Sequence, residues 1–107
     1  MNNIMEPLIK IFKGDRELDL TNDNVDVEVI FNNGDRYSAT FFTILNIQFL
    51  LDQYKKTGEC SNGLYIWASD MIIVENISEN IIRNVVLDLL HSGELYTYFS
   101  KIDNVLD

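Results

Sequence analysis

The chain has 107 residues, 47% of them hydrophobic, and its 17 acidic and 8 basic residues give a net charge of −9 at pH 7. This length suits one domain with one hydrophobic core and leaves no room for a second domain. The excess of carboxylates disfavours nonspecific binding to nucleic acid or to anionic membranes, because the cations that would neutralise phosphate groups are missing.

The amino-terminal sequence and the cysteine count indicate a reducing compartment. Cys60 is the single cysteine, so neither an internal disulfide nor a cysteine-based zinc site is expected. Residues 1–10 lack the basic and then apolar pattern of a signal peptide. The sequence also contains no run that approaches the roughly twenty apolar residues of a membrane span. We therefore expect a cytoplasmic protein without a membrane segment.

The first strand is predicted at Leu8–Phe12, between Pro7 and a break at Gly14. The polar stretch that follows is predicted to be a connection held to the core by Leu18 and Leu20.

Residues 25–42 alternate between apolar and polar side chains, which predicts a β-hairpin. A two-residue turn at Asn33-Gly34 would set valines opposite polar residues. A three-residue loop, 32–34, with Gly34 in the left-handed conformation of a bulge, brings the two apolar faces together instead. The pairs predicted by this register are Val29 with Tyr37, Val27 with Ala39, and Val25 with Phe41.

Two longer segments have the apolar spacing of amphipathic helices. The first is predicted over 43–56, with Thr43 as its N-cap and Gly58 beyond its end. The second begins after a Ser78 N-cap and ends before Gly93.

The remaining apolar runs are short. Segments 64–68 and 71–75 are rich in aromatic and β-branched residues and are predicted to be two strands joined by a tight turn. Segment 95–102 fits a short helix, which we favour, and it also fits a strand at the sheet edge.

These elements predict an α+β fold, with a mainly antiparallel sheet of about five strands in the order β-β-β-α-β-β-α and two amphipathic helices packed on one face. The other face of such a sheet is free for solvent or for a partner. The residues expected there, and therefore the candidate partner-binding residues, are Asp26, Glu28, Arg36, Ser38 and Thr40, with Ile30 and Phe42 as apolar exceptions.

The sequence contains no pattern that assembles reactive chemistry. Cys60 and His91 could act as a nucleophile and its base only if the fold brought a loop and a helix end together. The acid-rich segment that starts at Asp19 does not match a calcium-binding EF-hand, because Asn24 and Ile30 stand where that loop requires glycine and glutamate. Phosphate-binding glycine motifs are also absent from the sequence. We therefore predict no catalytic, cofactor-binding or metal-binding residues, and a small metal-dependent hydrolase is the minor alternative.

Aromatic side chains with polar tips form a second group of interest. Tyr65 and Trp67 are predicted to fill one side of the core hairpin. The alternative is that they belong, with Tyr96 and Tyr98, to a binding hot spot, where such residues are enriched.

The blocks DLTNDNVDVEVIF, GDRYSATFFT, YKKTGEC and YIWASDMIIVE are similar to a family of small, acidic, uncharacterised bacterial proteins of about this length. The resemblance covers most of the chain from Asp19 to the second long helix. It implies a single intact domain in the bacterial cytoplasm, and it carries no catalytic motif.

The net charge and the missing chemistry together predict a non-catalytic protein-binding module that offers an acidic surface, with Asp26 and Glu28 at its centre, to a basic protein partner. A concrete version is an immunity or inhibitor protein against a bacterial toxin or nuclease. The alternative is a homodimer or larger homo-oligomer that associates through the sheet, which Ile30 and Phe42 on the polar face suggest.

Overall fold

The computed structural model describes residues 6–103, which form an α+β fold with a mainly antiparallel five-stranded sheet, as predicted. The strands are β1 (Leu8–Phe12), β2 (Asn24–Ile30), β3 (Arg36–Thr43), β4 (Met71–Val74) and β5 (Ser100–Ile102). The helical segments are α1 (Ile44–Thr57), α2 (Glu59–Gly63), α3 (Glu79–Ser92) and α4 (Leu95–Tyr98).

Strand β3 is the centre of the sheet. It pairs antiparallel with β2 along one side, and β2 in turn pairs antiparallel with β1. Along its other side, β3 pairs antiparallel with β5 in its first half and parallel with β4 in its second half. Strand β1 is therefore at one edge of the sheet, and the short strands β4 and β5 share the opposite edge.

The β2–β3 hairpin has the predicted register: Val29 pairs with Tyr37, Val27 with Ala39 and Val25 with Phe41. The loop has the predicted length of three residues, because the Phe31 backbone N–H donates to the Asp35 carbonyl at 2.9 Å and encloses 32–34. Gly34 has a φ of 92°, which an L-residue with a side chain rarely adopts. Burial of the valines therefore selects the register, as the alternation indicates.

The core lies on the face of the sheet that these valines share, beneath α3 and α4. Phe41 packs edge-on against Phe99, with ring centroids 6.2 Å apart. The buried cluster consists of Val25, Val27, Val29, Ala39, Phe41, Val74, Ile77, Ile82, Val86, Leu95 and Phe99.

Both long helices begin and end where their caps predict. The Thr43 side chain accepts a hydrogen bond from the Asn46 N–H, and the Ser78 side chain accepts one from the Ile81 N–H. Gly58 and Gly93 end α1 and α3 in the left-handed conformation. Helix α3 contributes Ile82 and Val86 to the core, but within residues 6–103 the cluster includes no side chain from α1. Of the two long helices, α3 therefore supplies the side chains of this core cluster.

The chain after α1 differs from the predicted order. Segment 64–68 is irregular and not a strand, and β4 joins β3 in parallel instead of turning back on a hairpin partner. A parallel pair of strands requires a long crossover connection. Helices α1 and α2 belong to this connection, which brings the chain back so that β4 can run parallel to β3. The fifth strand comes from the carboxyl-terminal segment. The favoured helix and the alternative edge strand both form there, α4 first and β5 directly after it.

Candidate functional site

The five predicted partner-binding residues lie on one face of the sheet, opposite the core. The hairpin register pairs Asp26 with Thr40, Glu28 with Ser38, and Ile30 with Arg36. Because side chains alternate along a strand, this arrangement brings the whole predicted set together on the side away from Val27.

This face carries much less free negative charge than the sequence suggested. Glu28 is only 7% exposed, and the Arg36 guanidinium donates to its carboxylate at 3.0 Å. Asp26 is exposed, but it accepts a hydrogen bond from the Thr40 hydroxyl at 2.7 Å. Lys10 on β1 stands opposite Glu28 in the sheet, so the face holds two acids and two bases. A buried carboxylate requires such partners. Glu28 therefore contributes to the structure of the sheet and little to an accessible acidic surface.

The two apolar exceptions on this face are less available than expected. Phe42 is 7% exposed and Ile30 is half-buried. The sheet face therefore offers a second copy few large apolar side chains from the hairpin itself.

The carboxylates of the acid-rich segment that starts at Asp19 hold the connection between β1 and β2 in place. The Asp19 carboxylate accepts hydrogen bonds from the backbone N–H groups of Thr21 and Asn22. The Asp23 carboxylate receives the Arg16 guanidinium at 2.6 Å. Burial raises the pKa of Asp23, but the Arg16 hydrogen bond, backbone N–H donors and the Arg16 charge outweigh burial and hold that pKa below its ordinary value. These carboxylates are thus occupied in fixing the connection between β1 and β2.

Within residues 6–103, no group of three or more His, Cys, Asp or Glu side chains is arranged to hold a metal ion. Cys60 and His91 lie on separate elements, α2 and the last turn of α3. The same part of the chain has no helix long and apolar enough to cross a membrane.

A cleft of about 560 Å³ lies between β1, the 13–20 connection and the start of α3. Its apolar lining comes from β1 and the connection, and its charged lining combines acids with bases. The lining residues are Ile9, Ile11, Lys13, Glu17, Leu18, Leu20, Ile77, Glu79 and Arg83. Arg83 is paired with Glu6, so the charges here largely neutralise one another. The volume is typical of a small-molecule site, but among residues 6–103 the lining includes no serine, threonine, cysteine or histidine.

Six of the twelve large apolar side chains that are exposed within residues 6–103 lie on α1 and the loop that follows α2. Trp67 is 77% exposed and Leu64 is 80% exposed. We call the set of exposed apolar residues from these two segments the helix–loop surface. Its members are Ile44, Leu45, Phe49, Leu64, Tyr65 and Trp67.

Helix α1 carries apolar residues on more than one side, with polar residues such as Gln48, Asp52 and Lys55 between them. Leu45 and Phe49 are four residues apart and share one exposed side, while Ile47, Leu51 and Tyr54 occupy another and are half-buried. The one buried residue of α1 is polar Asn46, whose amide bonds to Asn22 and Asn24. Hydrogen bonds at its first turn therefore attach α1 to the domain, and the side that carries Leu45 and Phe49 stays uncovered.

The loop is held against α1 by a left-handed turn. Cys60, Ser61 and Asn62 have φ values of 49°, 52° and 60°, a conformation that costs a non-glycine residue roughly 1–2 kcal/mol. Gly63 then packs so closely that a Cβ on it would stand 2.4 Å from the backbone oxygen of Leu51. This turn fixes where Leu64 to Trp67 emerge beside the helix.

The prediction that Tyr65 and Trp67 fill a core hairpin is wrong, because the hairpin does not form and both side chains are exposed. Sequence reasoning had also assigned α1 a single apolar side. Leu45 and Phe49 lie outside that side, and these two apolar residues were the sequence signal for a second apolar side.

The chain matches no protein-family model, no curated protein and no solved structure.

Proposed function

We propose that this protein is a non-catalytic protein-binding module whose contact surface is the helix–loop surface. The observation that carries the proposal is the exposure of Trp67 together with the other five apolar side chains on two adjoining segments. Contiguous apolar area of several hundred Å² on a soluble domain is typical of an interaction site. Tryptophan and tyrosine are also enriched among residues whose truncation costs about 2 kcal/mol or more of binding energy.

The way this surface is built supports the proposal. The left-handed residues before Gly63 have an energetic cost, and Leu64 and Trp67, which follow them, are exposed and are not members of the core cluster. Strain of this kind persists where a local structure serves a function. Binding is the function that an apolar surface of this kind can provide.

Capture from native lysate tests the proposal. Tagged protein should retain specific bound protein, and the double variant Phe49→Glu plus Trp67→Ser should lose it, because the first change places a charge in the contact and the second removes its largest anchor. Leu8→Gln is the matched control, since Leu8 is more than half exposed on the far edge of the sheet. A bound set that survives the double variant would remove this surface from consideration.

A second candidate function is binding to a basic protein, as an inhibitor or immunity-type protein would do, and the net charge of −9 favours it. Exposed Asp15 and Glu17 on the connection beside the cleft are better placed for this than Glu28, which is buried. Replacing both with lysine changes the net charge by four units and should slow association with a basic partner about tenfold at low salt. Stopped-flow association rates that do not change would argue against steering by this loop, with Asp88→Lys on α3 as the comparison.

A further inference from the structure

We propose that the occupant of the helix–loop surface is a second copy of this chain, so that the protein forms a two-fold symmetric dimer through α1. This inference rests on the proposed function, because it names the partner of the same surface.

The exposed area is what a dimer of this size requires. From the exposed fractions of its six members, and with about 150–250 Å² for each aromatic side chain, the helix–loop surface presents on the order of 700 Å² per chain. Stable protein–protein interfaces bury about 800 Å² per partner. The polar side chains around the six residues, such as Gln48 and Gln53, supply the remainder as a rim.

Local charge favours a copy of this chain over a basic partner. Residues 44–67 contain two acids, Asp52 and Glu59, and two bases, Lys55 and Lys56, so their net charge is zero. The rest of the chain therefore carries the whole charge of −9. Two such chains repel one another least when these neutral stretches meet, whereas a basic partner would be drawn to the other surfaces.

The geometry of α1 suits a two-fold axis. Phe49 is exposed near the middle of the 14-residue helix, and Leu45 lies one turn before it on the same side. In an antiparallel pair of α1 helices, residues near the middle of one helix meet the middle of the other. Phe49 would then lie close to the axis.

The sheet is the weaker route to a dimer. A sheet-mediated dimer was suggested by Ile30 and Phe42, and Phe42 is already buried within the chain. Exposed apolar side chains do occur on this face, Leu8 and Phe12 on β1 and Ile73 on β4, but the charged Lys10 and Asp26 lie among them.

Sedimentation equilibrium of the full chain over a range of concentrations tests the inference. We expect a monomer–dimer equilibrium for the native sequence, a dissociation constant about 100-fold higher for Phe49→Glu, since symmetry places two new carboxylates at the axis, and little change for Leu8→Gln. Far-UV circular dichroism confirms that each variant is folded. Monomer alone up to about 0.5 mM, or a dimer that Phe49→Glu leaves intact, would overturn the inference.

Salt dependence provides an independent readout. Raising sodium chloride from about 0.05 M to 0.5 M screens the repulsion between two chains of charge −9, so the dimer should tighten several-fold. Association that weakens with salt would contradict self-association through a neutral stretch. If the chain stays monomeric while the Phe49→Glu plus Trp67→Ser variant still loses a lysate partner, the surface binds a different protein, and the proposed function holds while this inference fails.

Discussion

Replacing Phe41 with alanine should lower the free energy of unfolding by about 4 kcal/mol. Phe41 is fully buried on the central strand, between Val25 of β2 and Ile72 of β4. Its ring meets Phe99, which follows α4, so the substitution removes contacts with two neighbouring strands and with the carboxyl-terminal segment together. The cavity adds to the lost burial, because the neighbouring backbone belongs to a sheet that cannot collapse into it.

Chemical denaturation followed by circular dichroism measures this effect, and Phe12→Ala is the matched control. Phe12 is half exposed on the edge strand β1, so the same change there should cost less than about 1 kcal/mol. Similar losses for the two variants would contradict the position of the core on the Phe41 face.

The hairpin is the part of the fold that the sequence predicted most closely. Its register follows from two local constraints that agree: Gly34 permits the left-handed loop position, and only one register aligns Val27 with Ala39 on a buried face. The helix ends were predictable for the same reason, since Thr43 and Ser78 act on N–H groups three residues away.

The pairing of β4 was not predictable from the pattern. Composition indicated a strand at 71–75. Its partner is β3, some thirty residues earlier, and a parallel pair is not joined by a short turn that could be recognised in the sequence. Segment 64–68 also contains aromatic and β-branched residues and yet is irregular. What decides its conformation is the close approach of Gly63 to α1, which periodicity does not encode.

The candidate site was likewise predictable from the sequence only in part. Alternation placed Glu28 correctly on the face away from the core, but its burial comes from neighbours on other strands, among them Arg36. The helix–loop surface was hidden because an apolar helix in a small domain is normally a core helix. Whether Leu45 and Phe49 are covered depends on tertiary packing and not on their spacing.

Gly63→Ala should lower the free energy of unfolding by about 3 kcal/mol, because two costs add. The residue has a φ of 77°, which alanine adopts poorly. Its Cβ would also stand 2.4 Å from the Leu51 backbone oxygen and 2.7 Å from Cγ of Lys55, and the first of these atoms belongs to the backbone of α1 and cannot rotate away. The loop must therefore detach from the helix or the helix must distort.

Hydrogen exchange separates these outcomes from global unfolding. Faster exchange confined to 58–68 and α1 identifies detachment of the loop, and the protein-binding proposal then requires weaker binding, because the loop that carries Trp67 is no longer held against α1 at Gly63. Ser61→Gly is the control of opposite sign: it relieves a left-handed residue with a φ of 52° and should be stabilising by roughly 0.5–1 kcal/mol. If Gly63→Ala loosened the loop without affecting binding, the position of Trp67 beside α1 would be irrelevant to the partner, and the contact surface would have to be α1 alone.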